Sequence, residues 1–326
     1  MPPKPALAYI LAASHSGSTL LAMLLGSHPE VCTVGELKAT SLGDPATYRC
    51  SCGELIRECR FWTNVSRRMT ERGFAFDVTN ARTNVDAGAD RYQRRLLAPL
   101  ARGPLAETVR DVALGLSPSW RRRLRNFQSI NEALVRSLLE ETGKRVVVDS
   151  SKIGIRLKYL LRNRELDVRV IRLVRDGRAV ALTYTDPAEY ADATNPSRRG
   201  GGSGGSRDAE RVPLQQAARE WRRSNEEAAA LLASVASAQQ LTLSYEELCE
   251  SPGAVLGRVF KFLGVAEETD LAAWRTRPHH VVGNGMRFDN SAEVRLDDRW
   301  RAALDSAALR AFEAEAGALN RRLGYL

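Results

Sequence analysis

Six small or polar residues at positions 14–19 (Ser-His-Ser-Gly-Ser-Thr) separate an apolar stretch from a leucine-rich one. The apolar stretch ALAYILAA (6–13) has the length of a buried strand, and the leucine-rich stretch after the turn has the composition of a helix. A turn between a strand and a helix N-terminus presents backbone N–H groups to an anion, and the helix dipole favours negative charge there. The sequence therefore predicts a phosphate-binding loop at 14–19.

This loop differs from the loop that binds nucleoside triphosphates. The triphosphate motif G-x-x-x-x-G-K-[ST] contains a lysine that reaches the terminal phosphates. With Gly17 aligned to its second glycine, Ser18 stands at the lysine position and Ala12 at the first glycine. The later strands also lack an obvious magnesium-binding aspartate of the ATPase kind. A triphosphate bound with magnesium is therefore disfavoured.

Strand and helix patterns alternate along the rest of the chain. Strands are predicted at 31–36, 145–151, 168–175 and 241–248, and helices at 60–140, 153–163, 253–263 and 301–323. Buried strands alternating with helices predict an α/β fold, a P-loop-like three-layer arrangement with a central parallel sheet flanked by helices. Glu36 ends the strand at 31–36, and a right-handed crossover through one short helix would place that strand end beside the phosphate loop.

The chain of 326 residues is basic, with a formal net charge of +9. Only six of its 48 basic residues are lysines, and arginine suits bidentate recognition of phosphate, sulfate or carboxylate. The charge fits a polyanionic ligand, an acidic substrate or simply a solvated basic surface. The N-terminal sequence has neither a secretory signal nor the ~20 apolar residues of a membrane span, so we expect a cytoplasmic protein without stable membrane insertion.

Three of the five cysteines, Cys50, Cys52 and Cys59, lie in the stretch YRCSCGELIRECRFW. Such a cluster could bind zinc, but no fourth cysteine or histidine follows at a usual spacing. A stable disulfide is not expected in a reducing cytoplasm. The cluster is therefore interpreted as a tight loop with buried thiols, and no metal site is predicted. We likewise interpret His279 and His280 as packing or loop residues.

Two motifs resemble those of the sulfotransferase family. The stretch 15–19 matches four of the five positions of the family's loop [KR]-S-G-[ST]-T, with His15 where Lys or Arg is usual. That loop binds the 5′-phosphosulfate end of 3′-phosphoadenosine 5′-phosphosulfate (PAPS). The stretch VIRLVRDGRAVALTY resembles the family's 3′-phosphate element, with Arg175 and Thr183 at its two binding positions.

Further matches extend the resemblance to about residues 6–302. They are VVVDSSK at 146–152, LSYEELCESP at 243–252 (the element that borders the adenosine pocket) and HHVVGNGMRF at 279–288 (the segment that closes over the cofactor). The resemblance implies a single sulfotransferase domain over 1–326, with a helical acceptor-side insertion at about 60–140. The Gly/Ser-rich stretch 195–208 has no apolar anchor and predicts a mobile loop, either inert or a lid on the substrate side.

The resemblance implies PAPS as cosubstrate, no metal, and an acceptor hydroxyl or amine on a small molecule, carbohydrate or lipid. The residues implied for cofactor binding are Ser14, His15, Ser16, Gly17, Ser18, Thr19, Arg175, Thr183, Tyr245, Asn284 and Arg287. The catalytic candidates are Glu36 as the base, with its pKa raised by burial, His15 as a donor to the leaving phosphate, and Lys152 in place of the missing loop lysine.

Two other classes of function stay open. One is a nucleotide-dependent kinase. The other is a polyanion-binding module that would use the arginines of SWRRRLRN at 119–126. Aromatic residues are not interleaved with these arginines beyond Trp120 and Phe127, so nucleic acid is not an expected partner. The acceptor and the oligomeric state are not specified by the sequence.

Overall fold

The structure is a computed structural model that describes residues 3–38, 42, 44–98, 103–190, 211–267, 279–283, 285–288 and 293–326. Two sequence predictions, the mobile loop at 195–208 and the cofactor role of Asn284, lie outside the described residues. Among the helices of these ranges, none combines the length and the apolar character that crossing a membrane requires.

Five parallel strands form the central sheet. They are β1 (Ala6–Ala12), β2 (Val31–Thr33), β3 (Val146–Lys152), β4 (Asp167–Val174) and β5 (Gln240–Ser244). Their spatial order is β2-β3-β1-β4-β5, and every neighbouring pair is parallel. All five predicted strands are confirmed, although β2 ends at Thr33 and Glu36 therefore follows the strand rather than ending it.

Helices cover both faces of this sheet. The helices are α1 (Ser18–Gly26), α2 (Arg60–Glu71), α3 (Arg91–Leu97), α4 (Gly103–Gly115), α5 (Pro118–Thr142), α6 (Gly154–Leu160), α7 (Gly177–Thr185), α8 (Pro187–Tyr190), α9 (Leu214–Leu232), α10 (Tyr245–Glu250), α11 (Pro252–Leu263), α12 (Trp300–Ala303), α13 (Ser306–Phe312) and α14 (Ala318–Arg322). Along β1, Leu7 and Tyr9 join one apolar core with α2 and α5, while Ala8 and Ile10 join a second core with α1 and α11. The predicted three-layer α/β fold is confirmed.

The position of β3 differs from the sequence prediction. The strand beside β1 on the Glu36 side is β3, and β2 lies beyond it. The prediction that β2 ends next to the phosphate loop was therefore wrong, because a strand more than 100 residues later is inserted between the two. The β1–β3 register shifts between Tyr9 and Leu11, so that Leu11 is opposite Lys152. This irregularity lies where the two strands approach the loop.

The cysteine-rich stretch folds as a tight turn against a segment far along the chain. Arg49 and Leu55 form an antiparallel bridge around the turn, and the Ser51 N–H donates to the Val281 carbonyl at 3.3 Å. The expectation that all three thiols of this turn are buried was wrong. Cys52 is exposed, although Cys50 and Cys59 are buried, and the imidazole of His280 lies beside the cluster. A fourth candidate ligand is therefore present, but 221 residues from Cys59, where a local spacing rule does not find it.

Candidate active site

The predicted phosphate loop leads from β1 into α1. His15 (φ +62°) and Gly17 (φ +84°) both adopt the left-handed conformation. Glycine is required at position 17, because an added Cβ would lie 2.4 Å from Cδ2 of Tyr245. Gly17 is also the N-cap of α1 and provides no side-chain acceptor, so the helix N-terminus is open to an external anion.

The hydroxyl groups of the loop differ in burial. Ser16 and Ser18 are buried, whereas Ser14 and Thr19 are half-buried. Ser16 Oγ is shielded from solvent and has no hydrogen-bond partner within the described part of the chain. A buried hydroxyl without a partner is costly, and a ligand oxygen in the loop would satisfy it.

Glu36 and Lys152 form an ion pair at the end of β3. The Lys152 ammonium donates to Glu36 Oε1, and Lys38 Nζ lies 3.1 Å from Glu36 Oε2. The side chains of Glu36 and Lys152 are 18% and 13% exposed. Lys152 also adopts φ +68°, a conformation that costs a non-glycine residue about 1–2 kcal/mol. The structure thus brings the predicted base and the predicted substitute for the loop lysine into direct contact.

The pKa of Glu36 moves in the direction opposite to the sequence prediction. Burial raises it, but the charges of Lys152 and Lys38 outweigh burial and lower the pKa from 4.5 to about 2. The prediction considered burial alone and missed two ammonium groups. With this pKa, Glu36 is ionised at neutral pH but is a weak proton acceptor while both lysines contact it.

A buried network holds the turn that contains Glu36. Asp149 Oδ1 accepts hydrogen bonds from the backbone N–H groups of Leu37 (3.2 Å) and Ser151 (2.9 Å), and Ser151 Oγ accepts one from the Lys38 N–H (2.9 Å). Asp149 Oδ2 pairs with Arg156 Nη2 at 3.0 Å, and neither side chain is exposed. On the other side of Glu36, the Ser150 N–H donates to the Gly35 carbonyl at 3.1 Å, so the end of β3 fixes the backbone on both sides of Glu36.

Sequence reasoning missed Asp149 and Arg156. A signal was available, because an aspartate at the end of the apolar run VVVDSS must find a partner when the strand is buried. The arginine seven residues later, in the apolar segment IGIRLKYLL, is the matching charge. What the sequence does not show is that this pair serves a turn more than 100 residues earlier.

His15 lies between the cationic groups of the site. Burial lowers its pKa first, and the charges of Lys152 and Arg175 lower it further, to about 4, although Glu36 acts in the opposite direction. Its ring makes an edge-to-face contact with Tyr184 at 4.7 Å between centroids. The imidazole is therefore neutral at pH 7 and has a single N–H to donate.

Arg175, the residue after β4, lies beneath the loop. Its guanidinium is fully buried. It donates from Nη1 to the His15 carbonyl (2.7 Å) and from Nη2 to Asp297 Oδ2 (2.8 Å). It also lies 4.2 Å from the ring centroid of Tyr245, the ring that contacts Gly17. Three predicted cofactor-binding elements, namely the loop, Arg175 and Tyr245, therefore meet.

Asp297 was not among the sequence predictions. Burial raises its pKa, but its bonds to Arg299 and its pairing with Arg175 lower the pKa to about 2. Its carboxylate therefore stays ionised beside Arg175, at the position where the family resemblance implies the 3′-phosphate.

Two further predicted residues make other contacts. Thr183 is buried in α7, and its hydroxyl lies 3.0 Å from the Ala179 carbonyl oxygen, an intrahelical hydrogen bond. The Arg287 guanidinium donates to the carbonyl oxygens of Gly283 and Arg49, the latter at 3.1 Å, and lies over the ring of Tyr48. In this structure Arg287 therefore joins the C-terminal segment to the cysteine-rich turn.

Comparisons with known proteins give results at the level of structure only. No protein-family model matches the chain, and no curated protein matches it. A sulfotransferase domain from the curacin biosynthetic pathway is 17% identical, covers 99% of this chain and 98% of its own, and has a TM-score of 0.51.

Two other solved structures are similar over most of the chain. The sulfotransferase domain of the Synechococcus PCC 7002 olefin synthase is 20% identical, with 96% of each chain covered and a TM-score of 0.46. Sulfotransferase STF9 from Mycobacterium avium is 12% identical, with 96% of this chain and 76% of its own covered and a TM-score of 0.48. The full-length likeness to the curacin domain, together with the all-parallel sheet, establishes that this chain has the sulfotransferase fold.

Proposed function

We propose that the protein is a PAPS-dependent sulfotransferase that moves a sulfuryl group to a hydroxyl or amine of an acceptor. The observation that carries the proposal is the contact between Lys152 and Glu36 beside a phosphate loop that has no lysine of its own. In this proposal Lys152 is the cation for the leaving phosphate and Glu36 is the base for the acceptor; Lys152 ends β3, and Glu36 follows the neighbouring strand β2. In open α/β sheets this edge is where ligands bind.

The loop residues fit the phosphosulfate end of PAPS. The N-terminus of α1 has no side-chain cap, and the buried Ser16 hydroxyl lacks a partner among the residues described. Both features favour an anion held by Ser14–Thr19. Arg175 would hold the 3′-phosphate in exchange for Asp297, since one carboxylate already occupies its Nη2. Thr183, Tyr245, Asn284 and Arg287 keep the cofactor-binding roles that the family resemblance implies.

In the transfer step, the acceptor oxygen or nitrogen forms a bond to sulfur while the bond from sulfur to the bridging phosphate oxygen breaks. Glu36 takes the acceptor proton, and the leaving phosphate oxygen keeps the electron pair of the broken bond. Lys152 neutralises that oxygen, and His15 donates a hydrogen bond to it as a neutral imidazole. Atoms and charge balance without another reactant.

Glu36 becomes a competent base when Lys152 leaves it. While the ion pair is intact, the pKa of Glu36 is about 2. Binding of the phosphosulfate gives Lys152 a second anionic partner, and burial of Glu36 then raises its pKa. Nucleotide binding would therefore activate the base, which links the two halves of the site.

The helical segment at 60–140 is the proposed acceptor side of a single domain spanning 1–326. Thr83 Oγ1 from this segment donates to the Leu37 carbonyl, next to Glu36, and Arg156 donates to the Thr83 carbonyl. The segment thus contacts the turn that carries the base. A small-molecule, carbohydrate or lipid acceptor is consistent with this position.

The first experiment is calorimetric titration with 3′-phosphoadenosine 5′-phosphate, with and without Mg²⁺. Binding that needs no Mg²⁺, and that exceeds the affinity for ADP at least ~10-fold, supports the proposal; one charge-assisted contact is worth about 1.5–3 kcal/mol. Mg²⁺-dependent binding of ATP with no preference for a 3′-phosphate supports a kinase instead. Binding of heparin with steep salt dependence, but no nucleotide binding, supports a polyanion-binding module.

The second experiment compares Glu36→Gln with the wild type in PAPS consumption over a panel of acceptors. The variant keeps the side-chain shape but loses the basicity, so kcat should fall ~100- to 10,000-fold. Nucleotide affinity should not fall, because the neutral side chain no longer competes with the phosphosulfate for Lys152. Wild-type turnover in the variant would show that another group is the base.

A further inference from the structure

Four side chains that can ligate a metal converge outside the proposed active site. The Sγ atoms of Cys50, Cys52 and Cys59 and a ring nitrogen of His280 all lie within 4.8 Å of one another. The three cysteines come from the turn before α2, and the histidine comes from the segment 279–283.

The interatomic distances match a tetrahedral zinc ion. Zn–S bonds of about 2.3 Å and a Zn–N bond of about 2.0 Å separate two ligand sulfurs by about 3.8 Å and a sulfur from the nitrogen by about 3.5 Å. The Cys52 and Cys59 sulfurs are 3.7 Å apart. His280 Nδ1 lies 3.6 Å from the Cys50 sulfur and 3.4 Å from the Cys59 sulfur. Three of the six distances between the four atoms therefore match the edges of the zinc tetrahedron, and the other three are at most 4.8 Å.

Two backbone N–H groups and a helix N-terminus lie beside the sulfurs. The backbone N–H of Cys52 is hydrogen-bonded to the Cys50 sulfur, and the N–H of Trp62 is hydrogen-bonded to the Cys59 sulfur. Cys59 is also the N-cap of the twelve-residue helix α2, where the helix dipole stabilises negative charge. These contacts would stabilise the negative charge of metal-bound thiolates.

The ring of His280 is held in place by stacking. It lies parallel to the Phe61 ring, with an interplanar angle of 3° and 4.4 Å between centroids. This orientation directs Nδ1 towards the sulfurs and leaves Nε2 as the protonated nitrogen when a metal is bound. Three thiolates and one imidazole form a closed ligand set that is typical of structural zinc.

We infer that Cys50, Cys52, Cys59 and His280 form a structural zinc site, which ties the turn before α2 to the segment 279–283. This segment also contacts the backbone beside the proposed base: Val282 forms a parallel bridge with Gly35, and its N–H donates to the Val34 carbonyl at 3.0 Å. The metal would thus fix a segment that packs against the turn containing Glu36. Its role is positional, since no ligand belongs to the phosphate loop.

Metal analysis of the purified full-length chain tests the site without any assay of activity. Protein produced with added zinc and dialysed against metal-free buffer should contain about one zinc ion per chain. His280→Ala and Cys59→Ala should weaken zinc binding by more than ~100-fold, because each removes a direct ligand. His280→Cys should retain the metal, since four thiolates also form a closed tetrahedral site. The control is Cys32→Ala, which removes a buried thiol outside the cluster and should keep a full complement of zinc.

Cobalt spectroscopy of the wild type keeps the proposal testable even where an alanine variant does not fold. Co²⁺ should give the intense ligand-field bands of tetrahedral thiolate coordination, and Zn²⁺ should displace it. A wild-type chain that binds neither ion stoichiometrically would overturn the site. Full zinc content in both alanine variants, or a Cys52–Cys59 disulfide in protein kept under reducing conditions, would do the same.

Discussion

Replacing Lys152 with methionine removes an ammonium from Glu36 while nearly preserving the length and burial of the side chain. Two lysines lower the pKa of Glu36, and Lys152 has the larger effect. An opposite charge in contact lowers a carboxyl pKa by about 1–3 units, so Lys152→Met should raise the pKa of Glu36 from about 2 to roughly 3–5. Lys38, 3.1 Å away, continues to act on it.

Titration of the Glu36 carboxyl carbon by NMR measures this pKa directly, with Glu36→Gln identifying the resonance. The matched control is Lys158→Met. Lys158 is also 13% exposed and also contacts carboxylates, namely Glu107 at 2.8 Å and Asp111 at 2.9 Å. Both substitutions change the net charge equally, but only Lys152→Met should move the Glu36 resonance. An unchanged pKa in Lys152→Met, or an equal change in both variants, would refute the assignment of Lys152 as the partner of Glu36.

The same ion pair makes a pH-dependent contribution to stability. Because the pKa of Glu36 falls from 4.5 in the unfolded chain to about 2 in the folded one, its stabilising effect is complete above pH 4.5 and is lost as the pH falls through about 2. The difference corresponds to about 3 kcal/mol. Denaturant unfolding between pH 6 and pH 3 should therefore show a shallower pH dependence in Lys152→Met than in the wild type.

Three further substitutions test the loop and its support. Ser16→Ala should leave the unfolding free energy within about 0.5 kcal/mol of the wild type, because the hydroxyl has no partner among the described residues. The same substitution should weaken binding of 3′-phosphoadenosine 5′-phosphate about 10-fold. Unchanged affinity in calorimetry would exclude a role of the Ser16 hydroxyl in binding. Asp149→Asn breaks a fully buried ion pair and should lower the free energy of unfolding in urea by about 3–5 kcal/mol. The control Asp167→Asn removes a half-exposed pair and should lower it by less than about 1 kcal/mol. Equal losses of stability in the two variants would contradict the buried network. Gly17→Ala should lose nucleotide binding and should lose about 1–3 kcal/mol more stability than the control Gly73→Ala. Both glycines have φ near +83°, but only at Gly17 would the added Cβ lie 2.4 Å from the ring of Tyr245. Similar thermal denaturation of the two variants would argue against the clash.

The local parts of this site could be predicted from the sequence. The phosphate loop follows from one apolar run, one small-residue turn and one leucine-rich helix, all within twenty residues. The strands that carry Lys152 and precede Arg175 are likewise visible as apolar runs. Each of these predictions depends on neighbours in the chain, which periodicity and turn chemistry describe well.

The errors concern contacts between distant segments. Burial of Glu36 was anticipated correctly, but the sign of its pKa change depends on an ammonium 116 residues away. The spatial order β2-β3-β1 depends on tertiary packing, which the spacing of the strands along the sequence does not determine. His280 was interpreted as a packing or loop residue, and its contact with the cysteines was not predicted because it spans 221 residues.

Two strained residues of the site, His15 and Lys152, bear on how the proposed phosphate loop would function without a lysine of its own. His15 and Lys152 are two of the three described non-glycine residues with positive φ, and they lie where β1 and β3 end. Such conformations persist only where the surrounding structure enforces them, and they concentrate at functional sites. Lys152 lies at the shifted β1–β3 register and three residues after Asp149 of the buried Asp149–Arg156 pair.

A lysine within the loop would serve the ligand alone. In the proposed reaction, the lysine at the end of the neighbouring strand β3 serves two partners, the bound phosphosulfate and Glu36. In the proposed reaction the same ammonium therefore suppresses the basicity of Glu36 in the empty site and releases it when the nucleotide binds. In that reaction, relocation of the cation from the loop to β3 would couple base activation to the presence of the sulfuryl donor.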